Sequence, residues 1–428
     1  MVMNDQYVKY VEAHELFSKS QHAYRRNRST VSAWVEIDTN IRQAAEKGWT
    51  SVLVTTDLSA AFNTLSKEIM VPMMKATGVS DMAGKLIESY LSDRKTQVKL
   101  GNEISTEISL DTGVGEGSIQ GPSYFISILM PVPVIAKRTN ERLEKLGVSA
   151  VTATVEYADD CTGIVNGETE LDCQIAIVIL SEEFSKFYSR VGLKQNLEKS
   201  ELLAVRKCDK TFDFTVGEVT EAEEIKLLGL TVQSGMKFNK HISKTSAAVR
   251  HRLHEISKIQ HLLPFDLLKR IIESLCLSKL YYAMEVYNTT REISKQIQRT
   301  MNVCLRVACH GDMKTRIKTM LEKTGWLNAD NKTTFVRIMM LRKIMLTRCC
   351  SVTWSLIQRG TIHGHNTRDN RLNLTWNPLT KFAGDSVLTS AVQKWNFLGL
   401  SAWDIVSKTK FKNKLPEEII KKFGNDNL

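Results

Sequence analysis

No apolar run in this chain is long enough to cross a bilayer. The longest, Ser123 to Ala136, contains Pro131 and Pro133 and falls short of the roughly 20 residues a spanning helix needs. A cysteine framework is missing as well. The eight cysteines (Cys161, Cys173, Cys208, Cys276, Cys304, Cys309, Cys349 and Cys350) show no paired spacing, and no secretory signal pattern precedes them. Free thiols in a reducing, intracellular setting are therefore expected. Cys304, Cys309 and His310, with His363 and His365 further on, match no common zinc spacing. Internal repeats and low-complexity tracts are absent too, so neither a solenoid nor a biased linker is indicated.

What is there is an ordinary globular composition with an uneven charge. The 428 residues, 43% hydrophobic and 25% charged, allow two or three domains with sizeable cores. The net charge is +11, and it is concentrated late: from Met301 to Leu428 there are 21 Lys and Arg against 9 Asp and Glu. A basic C-terminal third over a near-neutral body suits a surface that follows phosphates, although lysines and arginines that merely solvate helices would look the same.

Hydrophobic periodicity divides the chain into an α+β body and a helical, basic remainder. Gln6 to Phe17 reads as a short helix with little to pack against, so the chain is expected to begin inside a domain. Ser51 to Thr56, rich in Val and Thr, reads as a buried strand closed by Asp57, and helical spacing resumes through Phe62, Leu65, Ile69 and Met73. Thr96–Leu100 and Ile104–Leu110 alternate as a hairpin around Gly101-Asn102. Val151–Tyr157 and Cys161–Val165 make a second one. A helix over Leu171–Tyr188 and a strand over Ser200–Val205 follow. Beyond Lys240 the pattern is helical: Ile242–Leu262, Phe265–Leu280 and Ile293–Ala308.

The tip of the second hairpin, Tyr157-Ala158-Asp159-Asp160, is poor turn chemistry, since a tight hairpin prefers Asn-Gly or Asp-Gly. Adjacent aspartates also repel each other unless a cation lies between them. Asp57 has the same character, an acid ending an apolar strand just before a helix. Carboxylates at strand ends suit magnesium, which takes oxygen ligands, keeps waters and is shared with substrate phosphates. Two solvated turns would also account for any one of these acids alone.

Taken in order, these residues resemble the motifs of reverse transcriptases, specifically those of jockey-like non-LTR (LINE-type) retrotransposons. Gln21-His22-Ala23-Tyr24-Arg25 through Ser29-Thr30 resembles Q-x-G-F-R-x-x-x-S-T, and Asp57-Leu58-Ser59-Ala60-Ala61-Phe62-Asn63 resembles D-x-x-x-A-F-D. Gly113 to Pro122 resembles G-V-P-Q-G-S-x-L-x-P, and Tyr157 to Asp160 is similar to Y/F-A-D-D. Gly192 to Ser200 resembles G-L-x-x-N-x-x-K-T, and Leu227-Leu228-Gly229 resembles the primer-gripping Y-L-G turn. Trp395-Asn396 and Phe411 to Leu415 resemble the closing W-N-x-L-P and S-F-K-x-x-L segments. The similarity spans roughly Ser20 to Ile420, with 102 residues between Asp57 and Asp159.

The resemblance implies an α+β right-hand polymerase: residues 1–50 a residual fingers segment, 51–239 the palm with inserted finger elements, 240–311 a helical thumb, 312–428 a basic helical extension. It implies an RNA-directed DNA polymerase in which Asp57, Asp159 and Asp160 hold Mg2+ (or Mn2+), with Asp57 and Asp159 as the shared ligands. Lys199 would act near the departing pyrophosphate; a solvated lysine is the plainer reading. Arg25, Leu58, Phe62, Glu116, Gly117 and Tyr157 would contact the nucleotide or template, Phe62 as a steric gate under the sugar, although a core or surface role also suits Phe62 and Arg25. Leu228 and Gly229 would grip the primer. Implied partners are an RNA template, a DNA primer, deoxynucleotides and an element-encoded ribonucleoprotein, with no membrane. Implied compartments are the nucleus for target-primed synthesis and the cytoplasm for particle assembly.

Departures from the pattern include Gly115 and Glu116 in place of Pro and Gln, Gln120 in place of Leu, and Asn63 in place of Asp. The upstream finger segments, an endonuclease, a ribonuclease H acidic set and a Cys-His knuckle are not found in the sequence. A catalytically inactive remnant that at most binds nucleic acid is the competing reading. A group II intron maturase is disfavoured by the Trp395-Asn396 tail.

Overall fold

The computed structural model describes residues 2–59, 61–110, 112–115, 117–206, 212–287, 290–359, 374–376, 378–400 and 407–425. The chain divides into two units: Met1–Ala33 with Lys47–Glu223, and Trp34–Glu46 with Glu224–Leu428.

The first unit opens with α1 (Val2–Ala13) and the start of α2 (Thr30–Glu46), then β1 (Thr50–Ser59), α3 (Ala61–Thr64), α4 (Lys67–Ala76) and α5 (Asp81–Leu91). A narrow ribbon follows, β2 (Arg94–Thr96) with β5 (Ile108–Leu110) and, nearer its tip, β3 (Lys99–Leu100) with β4 (Glu103–Ile104). Next come α6 (Gly121–Ile128), α7 (Val132–Leu146), β6 (Ala150–Tyr157), β7 (Asp160–Gly167), α8 (Glu170–Arg190), β8 (Lys194–Val205) and the hairpin β9 (Thr215–Val216) and β10 (Val219–Thr220).

Strands β6, β7, β1 and β8 form one antiparallel sheet in that order. With helices between β1 and β6 and between β7 and β8, this is a split βαβ arrangement. Strand β1 lies in the middle of the sheet, so its apolar run Val52-Leu53-Val54 is buried throughout. Helices α7 and α8 pack on the sheet, and α8 starts at a capping box in which Thr169 and Asp172 satisfy each other's backbone N–H. The unit's core runs from Val52 and Val54 through Tyr124, Phe125, Ile177, Leu180 and Phe184.

Helix α1 differs from expectation, because it is not short of partners. Tyr7 and Val11 join the core, the Tyr7 hydroxyl pairs with Ser127 Oγ at 2.6 Å, and the Tyr7 ring meets Tyr124 edge-on. Its partner lies 120 residues away, beyond the reach of local periodicity.

The second unit contains the hairpin β11 (Glu224–Leu227) and β12 (Leu230–Gln233), then α9 (Asn239–Ile259) and α10 (Phe265–Ile272). A π-helical turn, Glu273–Leu277, leads into α11 (Ser278–Leu280). Helices α12 (Arg291–Cys309), α13 (Ile317–Thr324), α14 (Ala329–Thr347) and α15 (Ser351–Leu356) follow. The strand pair β13 (Gln358–Arg359) and β14 (Leu374–Thr375) precedes α16 (Lys381–Gly384), α17 (Val387–Leu398) and α18 (Lys408–Phe423). Helix α12 packs on α9, α13 and α14, and α14 on α17 and α18. Trp395 is fully buried and stacks on Phe411, while Asn396 exchanges two hydrogen bonds with the Leu374 backbone (3.0 and 2.8 Å). The Trp-Asn pair is thus a structural staple within this unit. His363, His365 and Cys208 lie outside the described residues. An α+β body followed by a helical, basic part is what the hydrophobic pattern predicts.

Candidate active site

Strand register brings the acids together. Thr56 pairs with Cys161 across β1 and β7, and Glu156 pairs with the same Cys161 across β6 and β7. Residues paired in a ladder point to one face, so Thr56, Glu156 and Cys161 share a face, and the Thr56 hydroxyl meets Tyr188 of α8 there (3.1 Å). The next residue on each strand turns the other way: Asp57, Tyr157 and Asp160 share the opposite face, with Asp159 at the tip. The turn itself is two residues long, Ala158-Asp159, closed by the pair Tyr157–Asp160. Ala158 takes a left-handed φ of 55°, a conformation that L-residues adopt at a cost of about 1–2 kcal/mol.

Like charges accumulate here. Loss of hydration, then Asp159 and Asp57, push the Asp160 carboxyl up to about 6. Asp159 is raised as well, first by desolvation and then by Asp57. Among the described residues neither acid has an ion pair. Asp57 has one: Lys199 Nζ stands 3.5 Å from its Oδ2. The backbone explains this reach. Asp57 pairs with Asn196 but Thr55 with Glu201, so β8 carries extra residues at that point, and the bulge holds Lys199. The strand expected from the sequence, Ser200–Val205, begins beyond this bulge, whereas β8 begins at Lys194.

The loop from Gly113 is stitched to the segment after Asp57. Gly113 N donates to Leu65 O (2.6 Å), Val114 N to Phe62 O (2.8 Å) and the Thr112 hydroxyl to Asn63 O (3.0 Å). A Cβ on Gly113 would collide with the Asn63 and Phe62 backbone at 2.9 Å. Arg94 braces the same loop by donating to the carbonyls of Thr112 (2.8 Å) and Gly113 (2.5 Å). Gly117 has a φ of 78° and open space around it, so its requirement is conformational. Phe62 is half-buried and stacks on the buried Phe125 with centroids 4.6 Å apart, which fixes its ring. Leu58 is buried. Glu116 lies outside the described residues.

Arg25 is not brought to this group. Its guanidinium makes a bidentate pair with Glu12 (2.9 and 2.7 Å), donates to Ser18 O (2.5 Å) and lies over the Phe17 ring. Tyr24 was passed over in the sequence and is close to the acids: half-exposed, with φ 53°, its phenol is pushed up by desolvation and then by Asp159 and Tyr157. Leu228 and Gly229 belong to the second unit. They form the β11–β12 turn with φ 45° and 80°, and Tyr282 donates its hydroxyl to Leu228 O at 2.9 Å.

The donor set fits a divalent cation: carboxylate oxygens short of positive charge, facing solvent at a sheet end. Among the described residues no three Asp, Glu, His or Cys side chains enclose a point by themselves. The acids would therefore supply part of a coordination shell, which is magnesium's habit when waters and substrate phosphates complete it. A cleft of about 910 Å³ lies elsewhere, between α8, β8 and the β9–β10 hairpin; Thr55, Thr56 and Ser200 line it, but none of the three acids does.

Acids presented at the end of a split βαβ sheet, with a glycine-rich loop pinned beside their strand, define a polymerase-type palm. The chain belongs to the reverse transcriptase (RNA-dependent DNA polymerase) family, whose model matches residues 2–232, and this meets the expectation from the ordered motifs. It is 22% identical over 319 residues to the Pol polyprotein of the type-1 retrotransposable element R2 of Popillia japonica, covering 71% of this chain and 43% of that protein. It is 24% identical over 251 residues to the probable RNA-directed DNA polymerase of transposon X-element of Drosophila melanogaster, covering 58% and 26%. These are non-LTR elements, and the chain spans less than half the length of these curated relatives. Among solved structures it is similar to a telomerase of Candida tropicalis (TM-score 0.43, 9% identity, 98% of this chain and 55% of that one). Reverse transcriptases generally use divalent metals. No helix among the described residues is long and apolar enough to cross a membrane.

Proposed function

We propose that this chain is the polymerase part of a non-LTR reverse transcriptase, adding deoxynucleotides to a DNA primer 3′-hydroxyl on an RNA template. The observation that carries this reading is the convergence of Asp57, Asp159 and Asp160 on one end of the sheet, two of them with no ion pair among the described residues. Bound divalent ions would lower the pKa of the attacking hydroxyl and neutralise charge on the departing pyrophosphate. The chain's own residues then have separate tasks. Asp57 and Asp159 would hold the cations, with Asp160 in support. Lys199 Nζ, 3.5 Å from Asp57 Oδ2, would offer a positive charge or a proton on the leaving side. Phe62, fixed by Phe125, presents its ring below the sugar and excludes a 2′-hydroxyl by bulk. The backbone at Gly117 lets the nucleotide approach closely, and Tyr157 shares the acids' face. The Leu228-Gly229 turn, braced by Tyr282, would hold the primer strand. Copying at a chromosomal target, in a ribonucleoprotein with the element's own RNA, would place the work in the nucleus.

Primer extension on poly(rA)/oligo(dT) with Mg2+ or Mn2+ tests the reading. The full chain should incorporate dTTP and Asp159→Asn should not. Incorporation by the full chain no greater than by Asp159→Asn would overturn it.

A further inference from the structure

The segment Ser18–Ala23 is attached to the catalytic hairpin more firmly than a connector requires. It runs beside the end of β6 as a short parallel partner: Glu156 N donates to Ser20 O (2.9 Å) and His22 N to Glu156 O (2.8 Å). Gln21, 1% exposed, lies in the middle of this pairing. Its side-chain Oε1 accepts two backbone N–H groups, Ala23 (2.9 Å) and Ala158 (3.1 Å). Ala158 is the left-handed residue of the turn, directly before Asp159. A non-glycine residue keeps that conformation when its surroundings over-determine it, and here an outside acceptor takes its N–H.

Glu156 holds the same segment from the side. Fully buried, its Oε1 accepts hydroxyls from Ser20 (2.6 Å) and Ser18 (3.2 Å), while Oε2 has no hydrogen-bond partner among the described residues. A neutral carboxyl suits such a place, and burial, only partly offset by the serines, Arg25 and Arg28, pushes it up to about 7.

We propose that Gln21 is a positioning residue for the metal-binding acids: by accepting the Ala158 N–H it fixes the turn that carries Asp159, and Glu156, through Ser18 and Ser20, keeps Gln21 in place. The inference rests on the polymerase reading above. It assigns a task to a side chain that itself touches neither cation nor nucleotide, in the way that outer-shell partners orient metal ligands.

The test uses the full chain without nucleic acid and Mn2+ alone as probe, with free Mn2+ followed by electron paramagnetic resonance. Gln21→Met keeps the bulk and removes the acceptor. It should weaken Mn2+ binding by about 10- to 100-fold, the range for outer-shell partners, and speed amide exchange at Ala158. Gln21→Asn, which keeps the carboxamide but withdraws it by one methylene, should fall between wild type and Gln21→Met, and it decides the matter if Gln21→Met does not fold. Glu156→Leu should weaken binding in the same direction, and Glu156→Gln, which retains an acceptor oxygen for both serines, should restore it. Folded Gln21→Met and Gln21→Asn that bind Mn2+ as tightly as wild type overturn the inference alone. Wild-type chain that binds Mn2+ no better than Asp159→Asn overturns the polymerase reading, and the inference with it.

Discussion

The sheet end of the first unit and the buried interior of the second handle charge in opposite ways. In the second, buried charges are paired or hydrogen-bonded where they lie. Asp38 accepts Arg42 Nε on both oxygens (2.8 and 2.9 Å), and Arg42 also donates to Phe382 O and lies over that ring. Arg337 donates to Ser390 Oγ and Tyr287 O, both at 2.9 Å, and Glu36 accepts from Ser351 and Val352. In the first unit three carboxylates share one sheet end, and among the described residues one exposed lysine, Lys199, pairs with them. Proteins tolerate that imbalance where a ligand will settle it, whereas a fold that needs its ions for integrity pairs them. The comparison separates charge used for structure from charge reserved for substrate.

Breaking the paired side should have the larger effect. Arg42→Met keeps the length of the side chain but leaves Asp38 buried without its donor, and removing one partner of a buried pair costs about 3–5 kcal/mol. Urea unfolding should show that loss, while Mn2+ binding at the acids stays as in wild type. A loss below about 1 kcal/mol would mean that Asp38 is already neutral in the fold, a direction its desolvation does favour.

Breaking the unpaired side should cost activity and leave the fold intact. Asp159→Asn removes a metal ligand, so extension should fall by more than about 100-fold, beyond what outer-shell partners are worth. In metal-free buffer its melting point should equal or exceed wild type, because the substitution relieves repulsion with Asp57 and Asp160. A clear drop in melting point would place Asp159 on the structural side of the comparison.

Glu156 is an intermediate case, a buried acid satisfied by hydroxyls rather than by a cation. Its folded pKa of about 7 lies above the unfolded value of 4.5, so the folded state resists ionisation. Stability therefore falls as pH rises from about 4.5 to 7 and stays reduced above. Glu156→Gln cannot ionise. Relative to wild type it should gain nothing at pH 4 and about 2 kcal/mol at pH 8, somewhat less than the full shift is worth, because the amide brings an extra donor. Equal stability gains at both pH values would show that Glu156 does not titrate in this range.

What the sequence displayed depended on distance along the chain. Strand β1, the β6–β7 hairpin and helix α8 were legible because two- and 3.6-residue periods are local, and the acids were legible as bad turn chemistry at Asp159-Asp160. The bulge that aims Lys199 was hidden, since Gln195 to Lys199 carries no strand period and only the register of β1 reveals it. Gln21 acts on Ala158 across 137 residues, and the partner of Arg25 is Glu12 in a helix that looked unpartnered. The expected helix Phe265–Leu280 is interrupted by a π turn at Glu273–Leu277, a backbone adjustment that leaves the hydrophobic pattern nearly unchanged.

Arg250 on helix α9 provides a third kind of charge, exposed and without an ion pair among the described residues, and with it the smallest expected effect. Its inner face is His241, Ile242, Thr245, Val249, Leu253 and Ile256, while Arg250, His251, His254 and Lys258 face solvent. Lys258 has Glu255 within 2.8 Å, but Arg250 has no ion pair among the described residues. A cation left exposed on a packed helix either solvates the protein or meets a phosphate, and salt distinguishes the two. If α9 lies along an RNA–DNA hybrid, Arg250→Ala should flatten the plot of log affinity against log salt by about 0.9, one counterion's worth, and weaken binding only a few-fold near physiological salt. Stability should hold within about 0.5 kcal/mol, as for other exposed positions. Fluorescence anisotropy of a labelled hybrid between 50 and 200 mM salt reads the slope directly. An unchanged slope would assign Arg250 to solvation.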